Sequence, residues 1–145
     1  MRKVIFLDVD GVLNSGQDYY SFTIETDKHF LLLKRIIDAT GAEIVLSSTW
    51  RMHEEDRNIV HKRLQEFGMD FIDSNRTPNS SYELMHRGDQ IREWFKNNPD
   101  VTSFVILDDD SDMCEYITHL VKTDTNVGLQ ELDVEKAIEV LQRRR

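Results

Sequence analysis

Three short, wholly apolar runs constrain this sequence more than any other feature. They cover residues 4–7, 44–46 and 104–107, and each ends abruptly at a polar residue. A short apolar run bounded by polar residues is typical of a strand buried on both faces, as in a parallel sheet. Residues 71–72 and 120–121 are weaker candidates for further strands.

Helical patterns separate these runs. Apolar residues recur at spacings of three and four, which predicts amphipathic helices around residues 30–37, 53–67, 91–95 and 134–141. Strands and helices therefore alternate along the chain. This alternation predicts an α/β fold with three layers, in which helices cover both faces of a doubly wound, Rossmann-like and mostly parallel sheet.

Length and cysteine content fit one cytoplasmic domain. A chain of 145 residues has room for a single core. No apolar run approaches the roughly 18 residues that span a bilayer, and the first apolar run is too short for a secretory signal. The single cysteine, Cys114, cannot form an internal disulfide and fits a reducing compartment; we expect it to be a buried packing residue.

The net charge restricts the possible partners. The chain has 27 acidic residues and 18 Lys or Arg, which gives a formal charge of -9. Bulk charge therefore disfavours non-specific binding to nucleic acid. An anionic substrate would require a local reversal of sign at the site.

Reactive polar residues follow all three apolar runs. Asp8 and Asp10 follow the first run, Ser47 follows the second, and Asp108 begins an acidic triplet after the third. Ligands of doubly wound sheets bind beyond the carboxyl ends of the strands, so these residues predict a site at that edge. The alternative is that polar residues only mark where each strand reaches solvent.

Asp8 and Asp10 form the sharpest local motif. Gly11 follows them and permits a tight turn, which would let both carboxylates face one site. Two neighbouring carboxylates repel each other, so they hold a cation, share a proton or point apart. Oxygen ligands favour a hard cation such as Mg²⁺.

At these residues the sequence resembles the haloacid dehalogenase (HAD) superfamily of phosphohydrolases. Residues 6–13 (FLDVDGVL) match its first motif, residues 44–47 (IVLS) resemble its second, and residues 105–109 (VILDD) resemble its fourth. Residues 46–51 (LSSTWR) and 121–124 (VKTD) are further similar to small HAD domains of RNA-repair proteins.

The resemblance implies a HAD-like fold with no separate cap domain. It implies one catalytic domain over residues 1–145, with residues 14–25 as a flap or loop. Such a site would be open, which suits a large phosphorylated substrate. Trp50, beside the second motif, would either pack in the core or contact that substrate.

The resemblance also implies roles for individual residues. Asp8 would attack phosphorus and form an aspartyl-phosphate, and Asp10 would act as general acid and base. Ser47 would bind a phosphoryl oxygen. Mg²⁺ would be held by Asp8, the backbone carbonyl of Asp10, and Asp108, with Asp109 as a further acid.

Two assignments stay open at this point. The basic residue of the family's third motif is assigned to Arg87, which opens a predicted helix, with Arg51 and Arg76 as rivals. The second acid of the fourth motif is either Asp109 or Asp112, because the family uses both spacings.

These observations predict a Mg²⁺-dependent phosphatase of large or nucleic-acid substrates. Its substrate would be a phosphorylated nucleic-acid end, a nucleotide or another phosphomonoester. The alternatives are a small-molecule or nucleotide phosphatase, a phosphotransferase, and a phospho-accepting receiver domain. The order of the acids disfavours the receiver, since receivers typically carry an adjacent acid pair after the first strand.

Overall fold

The computed structural model describes residues 1–16 and 23–145. Residues 17–22 lie outside the described part, so half of the predicted flap over residues 14–25 falls beyond it.

The described residues form a parallel sheet of four strands in the order β2-β1-β3-β4. The strands are β1 (Arg2–Leu7), β2 (Glu43–Leu46), β3 (Val101–Asp108) and β4 (Leu120–Lys122). The chain passes from β1 to β2 on one side and later adds β3 on the other side. The order therefore reverses between β1 and β3, which is where sheets of this kind bind ligands.

Four α-helices within residues 23–145 accompany the sheet. They are α1 (Asp27–Thr40), α2 (Glu54–Glu66), α3 (Arg87–Lys96) and α4 (Glu131–Leu141). Across residues 1–16 and 23–145, every helix is too short or too polar to cross a membrane.

Side chains of β1 alternate between two cores. Phe6 packs with Trp94 of α3 on one face, while Leu7 belongs to a core with Phe30 of α1 and Leu64 of α2 on the other. Residues of α4 join this second core. Alternation along a strand thus makes three layers, and the predicted doubly wound α/β fold is confirmed.

Two local predictions are wrong. Residues 71–72 do not form a strand: Phe71 is buried but Ile72 is exposed, and Leu46 of the edge strand instead bridges to Arg76. Cys114 is exposed rather than buried, because it begins a 3-10 helix (Cys114–His119) at the surface.

The start of α3 matters for the site. The carboxylate of Asp89 accepts a hydrogen bond from the backbone N–H of His86 at 3.1 Å, which stabilises the first turn of the helix. Gly88 permits close packing there, since an added Cβ would lie 2.5 Å from the Met113 carbonyl. These contacts hold Arg87 at the edge of the sheet.

Candidate active site

Hydrogen bonds of the sheet continue one residue past the strand ends. Asp8 N donates to the Leu107 carbonyl at 3.0 Å, and Ser47 N donates to the Leu7 carbonyl at 2.8 Å. This register places Asp8, Ser47 and Asp108 side by side at one edge.

A tight turn follows Asp8. Gly11 adopts φ 81°, a left-handed conformation that glycine reaches without strain, and its N–H donates to Asn14 Oδ1 at 2.8 Å. Asn14 Nδ2 donates to Asp10 Oδ1 at 2.9 Å, and Trp50 Nε1 donates to Asp10 Oδ2 at 3.1 Å. The Asp10 carboxylate is therefore held at both oxygens.

Asp8, Asp108 and Asp109 bring carboxylate oxygens within 4.8 Å of one another. Asp8 and Asp108 are buried. Burial, followed by the charge of Asp108, raises the pKa of Asp8 well above its ordinary value, against the lowering effect of Arg87. Burial also raises the pKa of Asp108, to about 6, although Arg87 opposes it. The three acids form a repulsive cluster that favours a cation.

Arg87 reaches into this cluster from the start of α3. Its Nη1 donates to Asp8 Oδ1 at 3.2 Å, to Asp108 Oδ2 at 3.1 Å and to the Ser47 carbonyl at 2.9 Å. Burial alone would lower the pKa of Arg87, but the two carboxylates more than offset it and raise it. Within the described residues, Nη2 and Nε of Arg87 make no hydrogen bond, so both remain available to an anion.

The hydroxyl of Ser47 is buried and has no hydrogen-bond partner among the described residues. Buried polar atoms are almost always paired, so an exception needs an explanation. Ser47 lies at the end of β2, and its own carbonyl accepts from Arg87. An oxygen of a bound anion would complete the hydrogen bonding of both side chains.

The two candidates for the second acid differ in their surroundings. Asp109 lies in the three-acid cluster, and its Oδ2 accepts from Thr125 Oγ1 at 2.9 Å. Asp112 instead packs against the start of α3, and its Oδ1 is 2.7 Å from Nδ1 of His86, the residue before that helix. The geometry favours Asp109 over Asp112.

The three candidate arginines also differ. Arg51 is buried and donates to carbonyls of Ser47, Ser48, Thr77 and Pro78 and to Gln90 Oε1, at 2.8–3.3 Å. Burial, followed by the charge of Arg87, lowers its pKa to about 10. Arg76 pairs with Asp73 at the surface. Only Arg87, of these three, contacts the acid cluster.

Sequence reasoning did not predict the supporting roles of four side chains. Asn14 and Trp50 hold Asp10, while Thr123 and Thr125 support the site from the segment after β4. Thr123 Oγ1 donates to the Gly11 carbonyl at 2.6 Å. The sequence indicated residues 121–124 only through their resemblance to the family, because no local pattern shows that this segment returns to the turn after β1.

The donors present fit Mg²⁺. The cluster consists of carboxylate oxygens, which are the ligands that this hard cation prefers. Burial and mutual repulsion raise the pKa values of Asp8 and Asp108, and a cation relieves both effects. Thiolate and paired imidazole ligands, which favour transition metals, are absent from this cluster.

Comparison with known proteins identifies the family. The profile of the family described as "HAD domain in Swiss Army Knife RNA repair proteins" matches residues 4–134. The chain belongs to this family. No curated protein and no solved structure matches the sequence.

This HAD domain therefore has the fold and the phosphohydrolase-type function that the resemblance predicted. The residue roles remain predictions that the geometry accommodates. Family membership leaves the receiver alternative without support.

Proposed function

We propose that this HAD domain is a Mg²⁺-dependent phosphatase that removes phosphate from the ends of nucleic acids. The cluster of Asp8, Asp108 and Asp109 beside Arg87 carries the proposal. A candidate nucleophile, candidate cation ligands and a guanidinium thus lie at the same sheet edge as Ser47, whose hydroxyl has no hydrogen-bond partner among the described residues.

In the first step, an oxygen of Asp8 forms a bond to phosphorus and the bond from phosphorus to the leaving oxygen breaks. Asp10 donates a proton to that oxygen. Arg87 and Ser47 bind phosphoryl oxygens and stabilise the charge that builds on them.

In the second step, Asp10 removes a proton from a water molecule, whose oxygen attacks phosphorus. Inorganic phosphate leaves and the Asp8 carboxylate is restored. Asp8, Asp108, Asp109 and the backbone carbonyl of Asp10 would hold Mg²⁺, which supplies positive charge beside the transferring group. The hydrogen bonds from Asn14 and Trp50 orient Asp10 for both proton transfers.

Two observations support a large substrate. The family is described by its occurrence in RNA repair proteins. The fully described segment between α2 and α3 contains no helix or strand that would cover the site. A site left accessible on this side can receive the end of a polymer.

Hydrolysis of an aryl phosphate with and without Mg²⁺ tests the chemistry. Asp8→Asn should lose activity by at least about a thousandfold, because it removes the nucleophile. Asp38→Asn is the matched control, since Asp38 is exposed on α1 and forms an ion pair with Lys34 at the surface. Equal rates for the parent and Asp8→Asn would refute the mechanism.

Oligonucleotides with 3′- or 5′-phosphates, compared with mononucleotides, test the substrate. We expect a higher kcat/KM for one of the oligonucleotides. A preference for mononucleotides would instead support the small-molecule alternative, and transfer of phosphate to added alcohols in place of water would support a phosphotransferase.

A further inference from the structure

A cavity borders the candidate general acid. It has a volume of about 370 Å³ and lies between the 3-10 helix Thr49–Met52 and α2, with Asp10 in its wall. Its volume is at the lower end of the range of about 300–1,000 Å³ for small-ligand pockets. It therefore has room for a group of about nucleoside size.

The proposed chemistry predicts that the leaving group lies at this cavity. Asp10 must contact the leaving oxygen in order to protonate it. The group that carries this oxygen then lies against Asp10, and the cavity is the space beside that carboxylate. Trp50 connects the cavity to the candidate general acid, because it lines the cavity and its Nε1–H donates to Asp10.

The walls combine apolar surface with polar edges. Met52 and Ile59 are large apolar side chains that are exposed to 38% and 48%, and both line the cavity. Thr49, His53 and Asp56 supply hydrogen-bonding groups. Apolar walls with a few polar groups are typical of ligand sites, and they match the faces and the edge of a nucleobase.

Charge narrows the choice of occupant. Among the described residues, Asp10 and Asp56 contribute two carboxylates to the lining of the cavity, and these would repel a second phosphate group. Asp56 instead suits a hydrogen-bond donor such as an exocyclic amino group. The favoured occupant is therefore neutral.

We propose that this cavity, here termed the leaving-group pocket (Asp10, Thr49, Trp50, Met52, His53, Asp56, Ile59), binds the terminal nucleoside whose phosphate is removed. The inference rests on the proposed function, because Asp10 defines the pocket through its role as general acid. It assigns base recognition to the 3-10 helix after the second motif and to the first turns of α2.

Binding is tested without turnover in the Asp8→Asn protein with Mg²⁺. Titration with adenosine 3′-monophosphate should shift the NMR signals of the Trp50 indole N–H and the Met52 methyl group. The Trp94 indole serves as an internal control, since it packs in the core on the opposite face of the sheet. Glycerol 2-phosphate, which has no base, should leave the Met52 methyl signal unchanged.

Kinetics of a double variant provide the second test. Met52→Ser with Ile59→Ser should raise KM for adenosine 3′-monophosphate about tenfold, as loss of apolar contacts does in other pockets. KM for glycerol 2-phosphate should change less than about twofold. The matched control is Ile117→Ser with Leu132→Ser, two residues exposed to 47% and 59% and outside the pocket.

The outcomes separate the two proposals. Equal KM changes for both esters, or an unshifted Met52 signal at saturating nucleotide, would overturn the pocket and leave the phosphatase intact. Failure of the phosphatase appears separately, as equal hydrolysis by the parent and Asp8→Asn. The NMR test needs no pocket variant, so it decides the matter even if the double variant does not fold.

Discussion

Arg87 and Arg76 are both partly exposed arginines that pair with aspartates, but their ion pairs differ in burial and therefore in strength. Arg76 pairs with Asp73, whose side chain is largely exposed, and such surface pairs contribute little to stability. Arg87 pairs with Asp8 and Asp108, which are buried. A charge that faces buried partners acts through a lower dielectric and is screened less by salt.

Arg87→Ala should therefore lower kcat/KM for an aryl phosphate about a hundredfold, the effect typical of losing a donor to the transferring group. Arg76→Ala should change it less than about twofold. The measurement is steady-state kinetics in saturating Mg²⁺. A comparable loss in both variants would contradict the assignment of Arg87 as the phosphate-binding residue.

At the scale of the element, the turn after β1 depends on one glycine. Gly11 has φ 81°, and an added Cβ would overlap the carboxylate of Asp109. Gly41, at the end of α1, has φ 71° but nothing within 4 Å of an added Cβ. Both positions have a positive φ, and they differ in whether an added Cβ would meet a neighbouring side chain.

Gly41→Ala thus measures strain alone, with an expected loss of about 1 kcal/mol in the free energy of unfolding. Gly11→Ala should lose more and should also weaken Mg²⁺ binding about tenfold or more, because Asp109 must move. Isothermal titration and urea unfolding of both variants test this. Unchanged Mg²⁺ affinity in Gly11→Ala would argue against Asp109 as a ligand.

Arg51 joins the 3-10 helix Thr49–Met52 to the segment around residues 77–78. This side chain is 2% exposed, and the hydrogen-bond partners found for it within the described residues are neutral oxygens. It also fixes the end of β2 through its hydrogen bonds to the carbonyls of Ser47 and Ser48. Removing it would leave several buried carbonyls unsatisfied, and each costs free energy.

Arg51→Met should therefore lower the free energy of unfolding by about 3 kcal/mol or more. Arg51→Lys keeps the charge but loses the planar set of donors, and it should recover only part of this loss. Urea unfolding provides the measurement, with Arg35→Lys as the exposed control. Full recovery in Arg51→Lys would show that charge, rather than hydrogen-bond geometry, is what matters.

Sequence reasoning located the strand-end residues of the site because β1, β2 and β3 have strong apolar runs. It could not separate Arg87 from Arg51, since both follow polar turns and only the tertiary structure shows which one is buried among carbonyls. Asp109 and Asp112 both satisfy a family spacing, and only the structure distinguishes them, because Asp109 lies in the three-acid cluster whereas Asp112 contacts His86. The strand predicted at residues 71–72 is wrong because Ile72, although apolar, is exposed to solvent.

At the scale of the whole molecule, the acid cluster couples stability to pH. In the metal-free protein the pKa of Asp108 is raised to about 6 from an ordinary value of 3.8, and that of Asp8 is raised as well. The folded state then binds more protons than the unfolded state in this window. The contribution of this cluster to stability therefore falls as the pH rises from about 4 to 6.

In EDTA, Asp8→Asn should thus be more stable than the parent at pH 7, by about 1–3 kcal/mol, and this advantage should shrink at pH 4.5. Mg²⁺ should stabilise the parent and have much less effect on the variant. Urea unfolding at both pH values tests this. Taking the difference between the two proteins cancels Asp73 and Asp100, whose lowered pKa values act in the opposite direction.

The pairing of β1 with β3 also has a consequence for synthesis on the ribosome. Leu7 pairs with Leu107, one hundred residues later in the chain. At translation rates of about 5–20 residues per second, β1 waits roughly 5–20 s before its central neighbour emerges. During that delay an apolar strand is available for aggregation. The yield of folded protein should therefore depend on translation speed and on chaperones that shield the first strand.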